Sequence, residues 1–303
     1  MNISLAPSFH CNFRCPWCYL SVDQLRDKTL LDLDLLDSRL RTVAPIEHVD
    51  IYGGEPATLP RDYAVRLLDV LQQHTNSINV ISNFSIVPEW FHRRDISVSA
   101  SYDWTARERH DQVLANIVGF SRPVPVLMLA THELCQVEPG EIAAVLNSIN
   151  TVGSLEIKPY STNQFNQHGM DWTVFEEWIK GWLKLDLNFN LVNRQILEQS
   201  VAKLYNAYSD NHLYISPDGN YSVLDFDLND REYFRPIQDL AEYQAWCCAE
   251  RNMVQQNTYC GSCPWQGHCA TEHYRRVTGL DRSCNGFRNL LDWYELESKS
   301  KNI

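Results

Sequence analysis

Positive charge, long apolar runs and repetition are all scarce in this sequence. Against 38 acidic residues stand 26 lysines and arginines, for a formal net charge of -12. Phosphate backbones are bound by a surplus of basic residues, so a nucleic-acid partner is excluded. The most apolar stretch, Val124 to Ala130, is far too short to span a bilayer. Met1 to Pro7 has neither a basic start nor an extended apolar run, so no export signal is read there. The expectation is a cytoplasmic protein with no membrane partner. Internal repeats and low-complexity segments are also missing. What remains is a chain of 303 residues, 44% hydrophobic, able to bury a substantial core.

Cysteine, by contrast, is plentiful. Ten cysteines in a reducing compartment are read for metal or cluster binding before disulfides. From Ile3 to about Tyr160 short β-branched runs alternate with helical patterns, the mark of βα units around a parallel sheet. Strands are predicted at Ile3–Leu5, Val49–Tyr52, Asn79–Ile81, Ser97–Ala100, Val126–Ala130 and Leu155–Ile157. Amphipathic helices are predicted around Tyr63–Leu71 and Ile142–Ile149. The fold class is α/β, a partial (β/α)6 barrel, and its chemistry is expected in the loops after the strand C-termini. Beyond Tyr160 two helices follow. One carries Val174, Phe175, Trp178, Ile179 and Trp182 on a single face, and the other runs from about Arg194 to Tyr208. A hairpin signal comes next, with Leu213–Ile215 and Tyr221–Leu224 around Pro217-Asp218-Gly219.

Cys11, Cys15 and Cys18 form C-x3-C-x2-C directly after the first predicted strand. Three thiolates on one loop hold three irons of a 4Fe-4S cluster and leave the fourth iron open. A zinc site is the alternative, with His10 as the fourth ligand, and so are three buried thiols. With Trp17 before its last cysteine, this loop resembles the defining motif of the radical S-adenosylmethionine (SAM) superfamily. Gly53-Gly54-Glu55-Pro56, at the end of the second predicted strand, resembles the family segment that contacts the SAM amino group, where glycines permit close backbone approach. Asn83, Ser101 and Asp103 match positions that contact the SAM ribose or carboxylate. The resemblance implies SAM as cofactor, cleaved at the open iron to a 5'-deoxyadenosyl radical, with the protein supplying position.

Cys260-x2-Cys263-x5-Cys269 followed by Cys284 offers four more thiolates, enough for a closed site holding a cluster or a structural zinc. This segment resembles the SPASM extension of peptide-modifying radical SAM enzymes, in a truncated, twitch-like form. The fourth core cysteine of that pattern falls on His273 and the usual hairpin cysteine on Leu224. The resemblance therefore implies that one auxiliary 4Fe-4S cluster remains, giving two clusters in all. Asp225 matches a position where some family members take a proton from the substrate radical. Cys135, Cys247 and Cys248 are read as core or incidental residues. His110-Asp111, which resembles a family helix motif, is read as a helix-surface pair.

The implied organisation is a barrel over residues 1–165, bridging helices over 166–208 and a cluster-binding extension over 209–303. The expected function is hydrogen abstraction from a ribosomally synthesised precursor peptide. The alternative is a radical SAM dehydrogenase or mutase acting on a small molecule such as an amino acid, sugar or aminocyclitol. A non-enzymatic cluster carrier would have no need of Gly53 to Pro56. A reductant such as flavodoxin or ferredoxin is expected as a partner. Because Cys11 follows the start so closely, a separate leader-peptide-binding protein is expected too. Glu156, Lys158 and Tyr160 on the sixth strand are candidate substrate contacts, their facing undetermined because strand residues alternate.

Overall fold

The structure, a computed structural model, describes residues 1–159, 171–208, 210–224, 234–269, 284 and 287–301. Six strands run parallel in sequence order: β1 (Asn2–Leu5), β2 (His48–Ile51), β3 (Ile78–Ser82), β4 (Ser97–Ser101), β5 (Val124–Ala130) and β6 (Val152–Pro159). Between them lie α1 (Leu33–Val43), α2 (Arg61–Leu71), α3 (His110–Val118) and α4 (Pro139–Asn147). The expected partial βα barrel is thus present, with all six predicted strands in place. Strand β6 is longer than predicted at both ends, because Gly153, Ser154 and Lys158 dilute its apolar signal.

Strand alternation separates core from lumen. In β5, Val124, Val126, Met128 and Ala130 are buried, and Leu127 and Leu129, on the less buried face, line a central cavity. The helices answer with stripes of matching period, such as Leu33, Leu36, Leu40 and Val43 on α1. Leu36 and Leu40 are fully buried, so truncating either to alanine costs about 2–5 kcal/mol. Asp32 caps α1 by accepting from the Asp34 and Leu35 amides.

The sheet does not stop at six strands. Its order is β10-β9-β8-β1-β2-β3-β4-β5-β6-β7. A two-residue strand, β7 (Asn190–Leu191), extends the β6 edge, and β8 (His212–Ile215) lies parallel to β1. Antiparallel β9 (Tyr221–Leu224) and β10 (Phe234–Ile237) complete the other edge. The predicted hairpin is therefore real, and it is also a wall of the barrel. Gly219 sits at its tip with φ +77°, where a Cβ would lie 2.3 Å from Leu35 Cδ2.

Helices α5 (Trp172–Leu183) and α6 (Val192–Val201) follow the barrel, then α7 (Leu240–Gln256) and α8 (Arg288–Lys301). The predicted aromatic face of α5 is buried at Phe175, Trp178, Ile179 and Trp182. The second helix ends earlier than the expected Tyr208. Ala202 is its C-cap and Lys203 adopts φ 58°, a left-handed conformation that cannot continue a helix. No helix among the described residues is long and apolar enough to cross a membrane.

Candidate functional site

Cys11, Cys15 and Cys18 lie on the loop after β1 and line one cavity of about 640 Å³. Also on its walls are Gly53, Gly54 and Glu55 after β2, Asn83 after β3, Ser101 and Asp103 after β4, and Trp17. The residues expected around SAM are therefore brought together on one face of the barrel, apart from Pro56. That proline is buried at the start of a short turn capped by Glu55.

The loop is held by backbone and buried polar contacts. The Glu55 amide donates to His10 O at 2.7 Å and the Gly54 amide to Ser8 O at 3.1 Å. A Cβ on Gly54 would sit 2.1 Å from His10 O, so only glycine lets the two loops approach this closely. Tyr19 Oη donates to Gly53 O at 3.1 Å, and Gly53 itself has φ 118°. The Glu55 carboxylate, 3% exposed, accepts from Ala57 N, Ser82 Oγ and Asn83 N at 2.9, 2.6 and 2.6 Å. Burial pushes its pKa up against these donors. Asn83 in turn donates to Asn12 Oδ1 at 2.8 Å and accepts from Ser85. Glu55 and Asn83 therefore brace the β2, β3 and cysteine loops against one another.

Asp103 is engaged in a similar way. It accepts from Leu129 N at 2.8 Å and from Arg107 Nε at 2.8 Å. Arg107 was not singled out in the sequence, although its spacing of four from Asp103 is a charge pattern. It is a buried cation on the cavity wall, close enough to Cys15 to favour its thiolate. Burial dominates the thiols nonetheless, pushing Cys11 up to about 11 and Cys15 up to about 12.

Do the residues fit an iron-sulfur cluster? The three thiols line one cavity and feel one another's charge. His10 does not line that cavity, and its Nδ1 is 3.2 Å from Thr58 Oγ1. Among the described residues no three His, Cys, Asp or Glu side chains are grouped to hold a single metal ion. A cubane needs no such shared sphere, because each thiolate takes a different iron. The donor set fits a cluster with one open iron.

The second cysteine group lies in a segment tied to distant residues by Trp265 Nε1 to Asp292 Oδ1 and His268 Nδ1 to Tyr205 O, each at 2.7 Å. Cys263 N donates to Cys260 O at 3.1 Å in a tight turn, and Phe287 N donates to Cys269 Sγ at 3.4 Å. Burial pushes Cys260 up to about 11, with Cys284 and Cys263 close enough to add to the shift. Leu224 lines the main cavity. Asp225 and His273 lie outside the described residues, as does Tyr160. Of the sixth-strand candidates, Glu156 and Lys158 line the cavity as a 3.7 Å ion pair.

A parallel partial barrel with a three-thiol loop after its first strand and a Gly-Gly-Glu-Pro turn after its second is the fold of the radical SAM enzymes. The solved structure of anSMEcpe with bound AdoMet and Cp18Cys peptide is similar at a TM-score of 0.69, with 13% identity and 100% of each chain covered. Streptococcus suis SuiB bound to precursor peptide SuiA matches at a TM-score of 0.65 and 15% identity, over 90% of this chain and 71% of that one. SuiB bound to S-adenosylmethionine gives a TM-score of 0.61 and 14% identity, with 90% and 72% covered. No family model and no curated protein matches this chain.

Proposed function

We propose that this chain is a radical SAM enzyme that modifies a peptide, by abstracting hydrogen from a ribosomally synthesised precursor. The reading is carried by Cys11, Cys15 and Cys18, which face Gly53, Gly54 and Arg107 across one cavity, in a fold shared with proteins solved with SAM and with peptides. When bound, cluster and SAM supply a 5'-deoxyadenosyl radical. The chain's own part is to position. Cys11, Cys15 and Cys18 hold three irons, and Trp17 and Ser101 wall the pocket. Gly53 and Gly54 let backbone approach the SAM amino group. Arg107, fixed by Asp103, offers its remaining N–H donors to the SAM carboxylate. Asn83 and Glu55 keep these loops in register, with Pro56 closing the turn.

Within a cluster-binding extension over residues 209–303, Cys260, Cys263, Cys269 and Cys284 hold a second 4Fe-4S cluster as electron relay or staple. Asp225 is the proposed proton acceptor, and a flavodoxin or ferredoxin the proposed reductant. The test is anaerobic iron and sulfide quantitation, with EPR and an assay of 5'-deoxyadenosine, on wild type and on the variant with Cys11, Cys15 and Cys18 changed to alanine. About eight irons falling to about four, with loss of 5'-deoxyadenosine, are the expected results. Zinc in both proteins would replace the second cluster by a structural metal. Absence of 5'-deoxyadenosine from iron-loaded wild type would end the enzymatic reading.

A further inference from the structure

Beneath the cysteine loop the barrel lumen has a floor that the SAM site does not use. On their inward faces β2 carries His48, Asp50 and then Tyr52, which follows the strand, and β8 carries His212 and Tyr214. Ser4 of β1 lies between them, in register with Asp50 on one side and Tyr214 on the other. Ser4, Asp50, Tyr52, His212 and Tyr214 all line the cavity. The two tyrosine rings meet edge to face, with centroids 6.3 Å apart. Tyr52 stands two residues beyond Asp50, about 7 Å nearer the cysteine loop.

Among the described residues the acidic groups of this lumen all have partners, and those of Asp50 leave one of its oxygens open. Asp103 is matched by Arg107, Glu156 by Lys158, and Glu55 is covered by three donors. Asp50 receives Asn79 Nδ2 at 2.8 Å and His48 Nε2 at 3.2 Å, and both contacts fall on Oδ1. Burial works to raise the pKa of this carboxyl, but the bonds from His48 and Asn79 outweigh it and hold it below the usual value. His212, whose Nε2 is 2.7 Å from Ser4 Oγ, adds a nearby imidazole. Oδ2 therefore remains an acceptor on an ionised carboxylate, in a cavity that Tyr52 and Tyr214 also line. A carboxylate and tyrosine faces together are the environment that recognises an organic cation.

We propose that the barrel floor is a cation-recognition site, in which Asp50, with Ser4 beside it, Tyr214 at the same level on β8 and Tyr52 above, receives an alkylammonium or guanidinium group of the substrate. This rests on the reading of the chain as a peptide-modifying enzyme, and it narrows the substrate to one presenting a basic side chain at the barrel floor. A charged group anchored on Asp50 would lead its carbon chain up past Tyr52, toward Gly53 and the cysteine loop.

The experiment uses iron-loaded protein under anaerobic conditions with SAM present, so that the probe reports the floor and not the SAM pocket. Ligand-observed NMR compares Nα-acetyl-lysine methylamide with Nα-acetyl-norleucine methylamide, which lacks the ammonium, and with n-butylamine as a free amine. Wild type should bind the lysine probe about tenfold or more tightly over the norleucine probe. Asp50→Asn should abolish that preference, and Tyr214→Leu should reduce it. Each preference is measured within one protein, so a loss of folded material cancels. Equal binding of the two amides by wild type, or a preference that survives Asp50→Asn, overturns the site. Asp50-dependent binding of n-butylamine alone upholds the cation site and moves the failure to the peptide reading. Formation of 5'-deoxyadenosine by wild type, assayed without any probe, decides the radical SAM reading separately.

Discussion

The two cysteine groups differ in what holds them. Around Cys11, Cys15 and Cys18 the backbone is fixed by neighbours far apart in sequence: Gly54 against His10, Glu55 across Ser82 and Asn83, and Asn83 to Asn12. Around Cys260 and Cys263 the contacts are mostly local, a turn closed within the segment and capped by Asn257. Beyond Cys263 the segment is tied to distant parts of the chain, by Phe287 N to Cys269 Sγ and Trp265 Nε1 to Asp292 Oδ1 on the α8 side and by His268 Nδ1 to Tyr205 O and Ala207 N to Gly267 O on the α6 side. The barrel thus builds the first site from its strand loops, whereas the second is a local turn suspended between α8 and the chain that follows α6.

The sharpest way to break this contrast is Gly54→Ala. The added methyl would meet His10 O and Phe9 O at 2.1 and 2.4 Å, and both are backbone atoms that cannot rotate away. The cysteine loop must lift from the β2 turn. The expected outcome is loss of 5'-deoxyadenosine formation and of about half the iron, the four of one cubane. A Cys284→Ser variant should lose the other half instead and keep the EPR signal of the first cluster. If Gly54→Ala retains full iron and turnover, the framework argument for the first site fails.

A second, smaller effect is expected at Arg107. Replacing it with methionine leaves Asp103, 1% exposed, with only the Leu129 amide as donor. Breaking a buried pair in this way costs about 3–5 kcal/mol, measurable by urea denaturation. The double change Arg107→Met with Asp103→Asn should recover much of that stability. The KM for SAM should stay raised about tenfold in both variants, because the guanidinium lost is a charged hydrogen-bond donor. Recovery of SAM affinity in the double variant would show that Arg107 only neutralises Asp103.

What the sequence disclosed follows the same division between local and long-range order. The six barrel strands and the cysteine loop were legible because each signal is contiguous: a β-branched run, or three thiols within eight residues. Glu55 was read as part of the segment that contacts SAM, and the structure adds that its carboxylate accepts from Ala57, Ser82 and Asn83, a brace visible only once β2 and β3 are side by side. Arg107 was hidden because no regular element was predicted around it. The floor formed by Asp50, Ser4 and Tyr214 was hidden more deeply. It needs β8 to pair with β1 across more than two hundred residues, and a hairpin signal says nothing about which edge it joins. For Glu156 and Lys158 the facing was open because Ile157 between them reads equally well on either side. The structure settles it by burying Ile157 and pairing Glu156 with Lys158 on the cavity wall.

The smallest effect concerns the floor, which touches neither cysteine group and so reports whether the barrel is built without them. The hydrogen bond to Asp50 raises the pKa of His48 above its ordinary value of 6.5, against the opposing effect of burial. A group raised on folding contributes stability that is complete below 6.5 and is lost as pH rises through the higher folded value. The partner works in the other direction: Asp50 is lowered from 3.8, so its contribution is present above that pH and lost as acid approaches the lower folded value. Between pH 5.5 and 8.5 only the His48 contribution changes. The pair is partly exposed, with His48 at 34% and Asp50 at 24%, so screening limits the change to a few tenths of a kcal/mol, about 1 at most. In His48→Gln this increment should be absent, and the urea midpoint should change less between the two pH values than in wild type. An identical change in both proteins would mean that His48 and Asp50 do not pair in solution, and would leave the Asp50 carboxylate without one of the two donors that fix it.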